Sequence, residues 1–448
     1  MSRNYKPIDL PRNLDYMASA MSPEVLKMVE SIIEKKLSEG QWSTPEDMIF
    51  DPSNIEFAAY WLHKGRNPIK KGMKGHNLEA YFEPFKKSKQ SWQPENFIKR
   101  KEYKLSASGD LMFAKHIEAS KDILYDHVES LIFKSDFAYA NLESTLSKEA
   151  PKAFSVKETG ETPHINITKP QYDALVKHKE YKFNAVQIAN NHIMDCGEEG
   201  ARITMDQLKC DDIAFLGVYE NESDANRVTY TMMDEVKIGW VTHTFSLNGK
   251  KLPDEKAWLC DITPFHMVKD VDTSRIEYQI KEAKNAGCDL VVVTLHWGLE
   301  HEFYPHPDQL EWAHKFAELG ADAIICHHPH VCQPYEMYKP ESRPDQLVPI
   351  LYSLGNLTPA YGSAATVLSL IANLTISQGE LNGVHQTLIT AVELTPVAFM
   401  RALENGNPHA VLIPLRDLNA MALDSETKAY VKEINAYADL ILGDSWRV

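Results

Sequence analysis

The sequence contains no apolar run long enough to cross a membrane. A membrane-spanning helix needs about 18 consecutive apolar residues. The most apolar stretch, residues 367–374, is much shorter and includes Ser369 and Asn373. The N-terminal segment also lacks the apolar core of a secretory signal. We therefore expect a chain without a membrane span and a cytoplasmic location.

Cysteines are few and dispersed. The 448 residues include six cysteines, and no two of them form a CxxC pair. This distribution excludes a disulfide framework and is typical of a reducing compartment. Cys326 and Cys332 flank a histidine cluster, so Cys326 could bind a metal ion. The favoured interpretation of Cys326 is instead a small buried residue at the end of a strand.

Positive charge is scarce outside the first hundred residues. The formal net charge of the chain is −16, and the acidic excess lies beyond residue 104. An acidic main domain excludes nucleic acid as its natural partner. The basic residues between Lys64 and Lys104 are the exception. We interpret them as a solvated surface that packs on the acidic domain, and binding of an anionic substrate is the alternative.

A chain of this length can bury a large core and hold more than one domain. We divide it into an N-terminal helical extension (residues 1–100), an α/β domain (101–400) and a C-terminal strand and helix segment packed on that domain (401–448). The extension contains a helix that begins after Ser22 and ends before Gly40. Its apolar side chains recur at helical spacing, which predicts packing on the main domain. They are Val25, Met28, Val29, Ile32, Ile33 and Leu37.

Strand and helix patterns alternate after residue 101, and glycines separate them. This alternation predicts an α/β fold whose central sheet is mainly parallel. The predicted strands are residues 103–107, 136–141, 183–189, 290–295 and 321–325, followed by a β-rich part at 366–376 and 386–394. The predicted helices are residues 274–286, 307–319 and 425–442.

Six residues of metal-binding type lie where predicted strands end. Side chains at the carboxyl ends of parallel strands converge in α/β folds. Carboxylate, carboxamide and imidazole in one set suit Mn²⁺, Fe²⁺ or Zn²⁺, and six ligands exceed what one tetrahedral zinc needs. We therefore predict a centre of two divalent ions that share a carboxylate. The candidate ligands are Asp110, Glu143, Asn191, His296, His328 and His330.

His192 directly follows the candidate ligand Asn191. A histidine that does not bind the metal can donate a proton to a leaving group. It can equally orient a ligand through a hydrogen bond. The sequence leaves both roles of His192 open.

Six motifs together resemble the CapA family of poly-γ-glutamate capsule biosynthesis proteins, a branch of the calcineurin-like metallophosphoesterase superfamily. The resemblance covers about residues 101–400. It implies two mixed β-sheets sandwiched between helices, the same six residues as metal ligands, and His192 as the catalytic histidine. The motifs are GDLMF (109–113), NLEST (141–145), ANNHIMDCGEEG (189–200), LHWGLEHE (295–302), CHHPHVCQPYE (326–336) and YSLGNL (352–357).

The sequence departs from the family pattern at three places. Met112 stands where ordinary metallophosphoesterases have the histidine of an Asp-x-His motif, so one histidine ligand is missing. Cys326 replaces the glycine usual before the HHPH run. The first hundred residues replace the membrane anchor common in capsule proteins, which makes a role in capsule export less expected.

Two functions fit these observations. The first is a soluble metal-dependent hydrolase that acts on a phosphoester or a γ-glutamyl-type amide, with a small-molecule or polyglutamate-like anionic substrate. The second is a non-catalytic accessory protein of poly-γ-glutamate biosynthesis that binds the polymer. Substrate-selecting residues lie in variable loops, so neither the substrate nor an oligomeric state follows from the sequence.

Overall fold

The computed structural model describes residues 4–13, 15, 21–51, 53–148, 164–404 and 406–447. Its first ten strands are β1 Asn4–Pro7, β2 Lys89–Ser91, β3 Phe97–Leu111, β4 Phe137–Leu142, β5 Thr145–Leu146, β6 Asn166–Ile167, β7 Lys177–His178, β8 Tyr181–Lys182, β9 Ala185–Gln187 and β10 Ala214–Leu216. The others are β11 Thr229–Met233, β12 Val236–Thr244, β13 Leu290–His296, β14 Ala323–His327, β15 Tyr335–Tyr338, β16 Val348–Leu351, β17 Asn356–Thr358, β18 Leu368–Leu381, β19 Val384–Glu404 and β20 Asn407–Pro414.

The α-helices in the described ranges vary from one turn to five. The N-terminal six are α1 Pro23–Ser38, α2 Ile55–Arg66, α3 Leu78–Phe82, α4 Glu129–Ile132, α5 Lys169–Val176 and α6 Gly197–Cys210. The C-terminal five are α7 Glu222–Ala225, α8 Ser274–Asn285, α9 Pro307–Leu319, α10 Leu415–Ala420 and α11 Ser425–Leu442.

Two mixed sheets form the centre of the fold. The larger has the order β1-β19-β18-β3-β4-β9-β10, with β17 beside β3 and with β2 and β20 beside β19. The smaller has the order β11-β12-β13-β14-β16-β15. The sheets face each other, because the Tyr139 ring of β4 stacks on the Trp240 ring of β12 with centroids 5.3 Å apart. Helices α8 and α9 pack on the smaller sheet, and α6 and α11 contact the larger. The predicted fold class is confirmed.

The prediction of a mainly parallel sheet is wrong for the C-terminal half. Strands β3, β4, β9 and β10 are parallel, but β18, β19 and β20 pair antiparallel. The turn between β18 and β19 is Asn382-Gly383, and both residues have positive φ, at 51° and 81°. An Asn-Gly pair with this geometry closes a two-residue hairpin. This local signal was present in the sequence, whereas the parallel prediction rested on the alternation farther upstream.

Most predicted elements are confirmed with shifted ends. The helices at 307–319 and 425–442 have the predicted bounds. The strand predicted at 103–107 is the middle of the longer β3, and the one predicted at 183–189 is the shorter β9. β3 is longer because its N-terminal half pairs with β18, a partner that local sequence does not reveal.

The first hundred residues contribute strands to the central sheet. Strands β1 and β2 both pair antiparallel with β19. The domain boundaries predicted at residues 100 and 400 fall inside β3 and β19. The extension therefore contains strands as well as the predicted helices, and the partners of these strands are distant in sequence and leave no local pattern.

Helix α1 is only half buried. Ser22 caps it as predicted, since its Oγ accepts the Val25 N–H. Val29 and Ile33 are buried, but three other residues of the predicted apolar face are exposed: Val25, Met28 and Leu37. The prediction that the whole apolar face packs is thus wrong, because the helix contacts its neighbours along one edge.

A second apolar cluster joins the extension to the loops at the end of β3. Val29 and Tyr60 of the extension belong to the same buried cluster as Met112 and Tyr361. Met112 lies two residues after Asp110, a predicted ligand. The extension thus packs beside the predicted site.

Among the helices that the structure describes, none combines the length and apolar composition needed to cross a bilayer.

Candidate metal centre

The candidate site lies where parallel strands of both sheets end. Asp110 is near the end of β3, Glu143 follows β4, and His296 is the last residue of β13. Because the two sheets face each other, these strand ends converge on one region. All six predicted ligands are buried there: Asp110, Glu143, Asn191, His296, His328 and His330.

Asp110 is held by the close approach of two backbones. Its N–H donates to the Gly355 carbonyl at 3.0 Å. A Cβ on Gly109 would lie 2.0 Å from that same carbonyl oxygen, so only glycine fits at position 109. The Asp110 Oδ1 accepts a hydrogen bond from Asn141 Nδ2 at 2.8 Å and lies 2.9 Å from His327 Nδ1. These contacts fix the direction of the carboxylate.

Glu143 occupies the middle of the set. Its Oε1 lies 3.5 Å from His296 Nε2, 3.7 Å from His330 Nε2 and 3.8 Å from His192 Nε2. Both carboxylate oxygens are buried, and no described residue donates a hydrogen bond to either. A buried carboxylate without donors costs free energy unless a cation is bound to it.

His328 and His330 reach the site through an unusual backbone. Their φ angles are 100° and 57°, a region that non-glycine residues rarely adopt. The His330 Nδ1 lies 2.9 Å from Asn356 Oδ1. Neither ring nitrogen of His328 has a hydrogen-bond partner among the described residues, although the ring is fully buried and lies 4.5 Å from the Phe245 ring. This strained loop therefore presents two imidazoles to the centre.

Asn191 and His296 contact each other directly. The Asn191 Oδ1 and the His296 Nε2 are 2.8 Å apart. The amide of Asn191 donates to Asn248 Oδ1 at 3.2 Å, which turns its oxygen toward the site. The amide oxygen, the imidazole and Glu143 thus converge.

The buried groups form two sets that have Glu143 in common. One set is Asp110, Glu143 and His296, and the other is Glu143, His328 and His330, with the ligand atoms of each set within 4.8 Å of one another. Three nitrogen and oxygen atoms so close together, with orphaned atoms on Glu143 and His328, fit a divalent transition metal. The donor chemistry and the burial therefore suit a metal ion in each set.

His192 lies beside this centre, and Asp195 contacts its ring on the side away from Glu143. The His192 Nδ1 is 2.7 Å from Asp195 Oδ2. Asp195 also accepts hydrogen bonds from Lys250 Nζ at 2.9 Å and from the Ile165 N–H at 2.6 Å. The other ring nitrogen, Nε2, is left facing Glu143.

Residues 104–361 match the model of a protein family described as bacterial capsule synthesis protein PGA_cap. The matched segment is more than half of the chain and includes every candidate site residue. The chain belongs to this family. The expected resemblance to CapA proteins is confirmed.

This PGA_cap protein is similar to proteins of known bacteria, three of which follow. The capsule biosynthesis protein CapA of Bacillus anthracis is 28% identical over 254 residues, which are 55% of this chain and 57% of the relative. The PGA biosynthesis protein CapA of Bacillus subtilis strain 168 is 29% identical over 300 residues, 65% of this chain and 73% of the relative. A probable polyglutamine synthesis accessory protein of Mycobacterium tuberculosis is 24% identical over 232 residues, 51% of this chain and 56% of the relative. The chain thus spans little more than half of two of these relatives.

The two carboxyl groups of the PGA_cap site have opposite pKa shifts. Burial raises the pKa of Glu143 well above its usual value, and the charges of Asp110 and Glu300 add to the effect. Burial also opposes ionisation of Asp110, but His327 and His330 beside it hold its pKa well below the usual range. Burial therefore favours the protonated form of Glu143, and a bound cation would favour its ionised form.

The pKa values of the three candidate histidine ligands are also shifted in opposite directions. Burial lowers the pKa of His296 and of His328 well below the usual value, so both rings are neutral, the form that binds metals. Burial has the same tendency at His330, but the charges of Glu143 and Asp110 raise the pKa of that ring to about 10. The acidic groups around His330 thus favour its protonated form, whereas burial keeps His296 and His328 neutral.

Sequence reasoning missed four residues that orient the candidate ligands or His192. Asn141 contacts both Asp110 and His296, and Asn356 contacts His330. Both asparagines could have been identified from the sequence, because each lies at a strand end within one of the six motifs. The other two are His327, which borders Asp110, and Asp195, which follows His192 by three residues.

Cys326 and Met112 are apolar neighbours of the site. Cys326 is fully buried in β14, and burial raises the pKa of its thiol well above the usual value. It belongs to neither of the two ligand sets, in line with the structural interpretation of this residue. Met112 is also buried, and its N–H donates to Thr358, so the missing histidine is replaced by a packing residue.

Proposed function

We propose that this PGA_cap protein is a metal-dependent hydrolase. It holds one or two divalent ions of manganese, iron or zinc and activates water against a phosphoester or a γ-glutamyl-type amide. The observation that carries the proposal is Glu143, a fully buried carboxylate with no donor among the described residues, common to both ligand sets. A carboxylate common to both sets would help to hold an ion in each of them.

The proposed ligands differ in what they contribute. The carboxylates of Asp110 and Glu143 would supply negative charge, and the neutral rings of His296 and His328 would supply nitrogen donors. Asn191 and His330 would complete the set. A metal bound there lowers the pKa of a water molecule and polarises the oxygen of the electrophile.

His192 is the proposed general acid. Asp195 accepts a hydrogen bond from Nδ1–H, which leaves Nε2 to carry the proton that is transferred. The paired Asp195 also stabilises the protonated ring. Protonation of a leaving amine or alkoxide at Nε2 contributes about 10²–10⁴-fold to such reactions.

A second candidate function is favoured by the names of the relatives. The Mycobacterium tuberculosis relative is named as an accessory protein of polyglutamine synthesis. In this alternative, the same site would bind an anionic polymer and hydrolyse nothing. The orphaned Glu143 and the paired His192 favour the hydrolase, because polymer binding alone needs neither.

The test combines metal analysis with turnover. The wild type and His328→Ala are loaded with Mn²⁺, Fe²⁺ or Zn²⁺, passed over a desalting column and measured by elemental analysis. Hydrolysis of bis(p-nitrophenyl) phosphate and γ-L-glutamyl-p-nitroanilide is then followed. We expect the wild type to retain metal and hydrolyse one of the two compounds, and His328→Ala to lose both properties.

His385→Ala is the matched control, since His385 is exposed on the hairpin between β18 and β19. It should behave as the wild type. Equal metal content in His328→Ala and the wild type would remove the metal site. Full metal content with polyglutamate binding and no hydrolysis of any phosphoester or γ-glutamyl amide would favour the accessory role.

A further inference from the structure

Glu300 is a carboxylate beside the candidate metal centre that the proposed mechanism does not use. It lies on the loop between β13 and α9, four residues after His296. Its side chain is 18% exposed, whereas the adjacent His301 and Glu302 are buried. The N–H of His301 donates to the Pro329 carbonyl at 2.9 Å, inside the loop that carries the two histidine ligands. Glu300 thus lies beside that loop and is also accessible from solvent.

The N-terminal extension fixes the direction of Glu300. The indole Nε1 of Trp61, on α2, donates a hydrogen bond to Glu300 Oε2 at 2.5 Å. Trp61 lies outside the residues matched by the family model. This contact holds one carboxylate oxygen and leaves Oε1 without a donor in the described part of the chain.

The backbone and a buried ion pair hold the same loop. The Ile69 N–H donates to the His301 carbonyl at 2.9 Å, and the Phe303 N–H donates to the Ile69 carbonyl at 2.9 Å. Lys64 Nζ lies 2.6 Å from Glu302 Oε1, with both side chains almost fully buried. The loop is therefore fixed on the C-terminal side of Glu300, and the position of its carboxylate is preorganised.

No lysine or arginine forms an ion pair with Glu300 in the described part of the chain. The titratable group within ion-pair distance is His301, whose Nε2 is 3.5 Å from Glu300 Oε2. Burial holds the pKa of His301 well below its usual value, so this ring is neutral. A fixed carboxylate that no lysine or arginine neutralises attracts an ammonium group of a substrate. Among the two proposed substrate classes, the γ-glutamyl amide is the one that carries an ammonium group.

We propose that Glu300, positioned by Trp61, binds the α-ammonium group of the substrate and so makes the site selective for γ-glutamyl amides with a free amino group. This inference rests on the proposed hydrolase function. Glu300 is a binding residue in it and Trp61 is a positioning residue. The extension of residues 4–100 then supplies part of the substrate specificity of the family domain.

The test compares two substrates that differ only at the amino group. The metal-loaded full-length protein is assayed with γ-L-glutamyl-p-nitroanilide and with its Nα-acetyl derivative. Binding of L-glutamic acid γ-methylamide and its Nα-acetyl derivative is measured separately by calorimetry, which does not depend on turnover. We expect the wild type to favour the free amine by about 10- to 100-fold, the range of a charge-assisted hydrogen bond.

Glu300→Gln should abolish this preference and leave the values for the acetylated compounds unchanged. Trp61→Phe keeps the ring but removes the N–H donor, so we expect a smaller loss that appears in KM and not in kcat. Glu282→Gln, on α8, is the matched control for a partly buried carboxylate removed at a distance from the site. The metal content of all variants is measured, and it should equal that of the wild type.

Three results would overturn the inference: equal affinity of the wild type for the free and acetylated compounds, loss of metal in Glu300→Gln, or no binding of either compound. Discrimination in binding without hydrolysis of any substrate would retain the role of Glu300 and reject the hydrolase. Hydrolysis of the phosphodiester without binding of either glutamyl compound would retain the hydrolase and reject the role of Glu300.

Discussion

The carboxylate of Asp195 lies 2.7 Å from Nδ1 of His192, and the opposite ring nitrogen faces Glu143. The pair holds His192 in one tautomer and one orientation. It also links a residue of the proposed metal centre to Lys250, which lies 2.9 Å from the second oxygen of Asp195.

Replacing His192 should therefore affect turnover far more than metal content. We expect His192→Ala to lower kcat by about 10²–10⁴-fold, the contribution of a positioned general acid. Asp195→Asn should lower kcat less, since Asn can still contact the ring but does not fix it in the Nδ1–H tautomer as the carboxylate does. Steady-state kinetics with elemental analysis would measure both. Full turnover in His192→Ala would assign this histidine a structural role.

Glu143→Gln should prevent metal binding while keeping the fold. The amide has the same shape as the acid but supplies no charge to the two ligand sets. We expect Mn²⁺ to raise the Tm of the wild type by a few degrees, through preferential binding to the folded state, and to leave that of Glu143→Gln unchanged. Glu336→Gln is the control, because this buried carboxyl accepts hydrogen bonds from Tyr352 and His314 and lies outside both sets. A metal-dependent Tm shift in Glu143→Gln would contradict the central role of Glu143.

The buried pair of Lys64 and Glu302 should be critical for stability when only one partner is removed. The side chains are 1% and 3% exposed, and Tyr60 also donates to Glu302. Lys64→Met leaves an uncompensated buried charge, which costs about 3–5 kcal/mol. We expect the double variant Lys64→Met with Glu302→Leu to recover most of the lost free energy of unfolding. Denaturant unfolding of the wild type, the two single variants and the double variant would measure these free energies.

The pair of Lys36 and Glu56, whose side chains are 23% and 45% exposed, provides the comparison for the buried pair. Lys36→Met should cost less than about 1 kcal/mol, because solvent screens a surface ion pair. A similar small cost for Lys64→Met would mean that the extension is not anchored by its buried lysine.

Asp261 should make stability depend on pH below about 5. Burial opposes its ionisation, but His243 and Arg275 lower the pKa of this carboxyl below the usual value, with hydrogen bonds from Tyr219 and Gln279. A carboxyl with a lowered folded-state pKa stabilises the fold above its unfolded-state value, and that contribution disappears as the pH falls through the folded-state pKa.

We therefore expect the difference in free energy of unfolding between the wild type and Asp261→Asn to be constant from pH 7 to 5 and to shrink toward pH 3. Urea titrations at several pH values would measure it. Asp345→Asn, at an exposed position, controls for the change in net charge. A difference that grows on acidification would contradict the sign of the shift.

The basic residues before the family domain should serve packing and not substrate binding. Lys70 Nζ lies 4.8 Å from the ring centre of Tyr437 on α11, and Arg66 pairs with Glu30. We expect charge reversal of Lys70 and Lys71 to leave KM for an anionic substrate unchanged at low ionic strength. The Tm should fall slightly, since a cation–π contact contributes about 0.5–1 kcal/mol at an exposed site. A raised KM that returns to normal with added salt would instead indicate substrate binding.

Much of the fold and of the candidate ligand set could be predicted from local sequence. Glu143 and His296 each follow an apolar run, and such runs form buried strands whose ends carry polar residues. Asp110 likewise follows a predicted strand. The helices at 307–319 and 425–442 were bounded by proline, glycine and capping residues. Asp195 lies only three residues after His192 in the sequence, but its contact with the His192 ring became evident only in the structure.

The position of the extension could not be predicted in this way. Strand β1 pairs with the far end of β19, so its partner is separated from it by most of the chain. Nothing in the composition of Asn4–Pro7 indicates that pairing, because a short strand is stabilised by its neighbours and not by its own propensity.

The sequence by itself determined which chemical groups are available and that they stand at strand ends, because apolar periodicity and capping act over a few residues. The tertiary structure alone decided that Glu143 belongs to two ligand sets and accepts no hydrogen bond from a described residue. It also decided that Trp61 contacts Glu300. These relationships depend on how two sheets and a distant helix pack, and packing brings together residues whose spacing along the chain carries no signal.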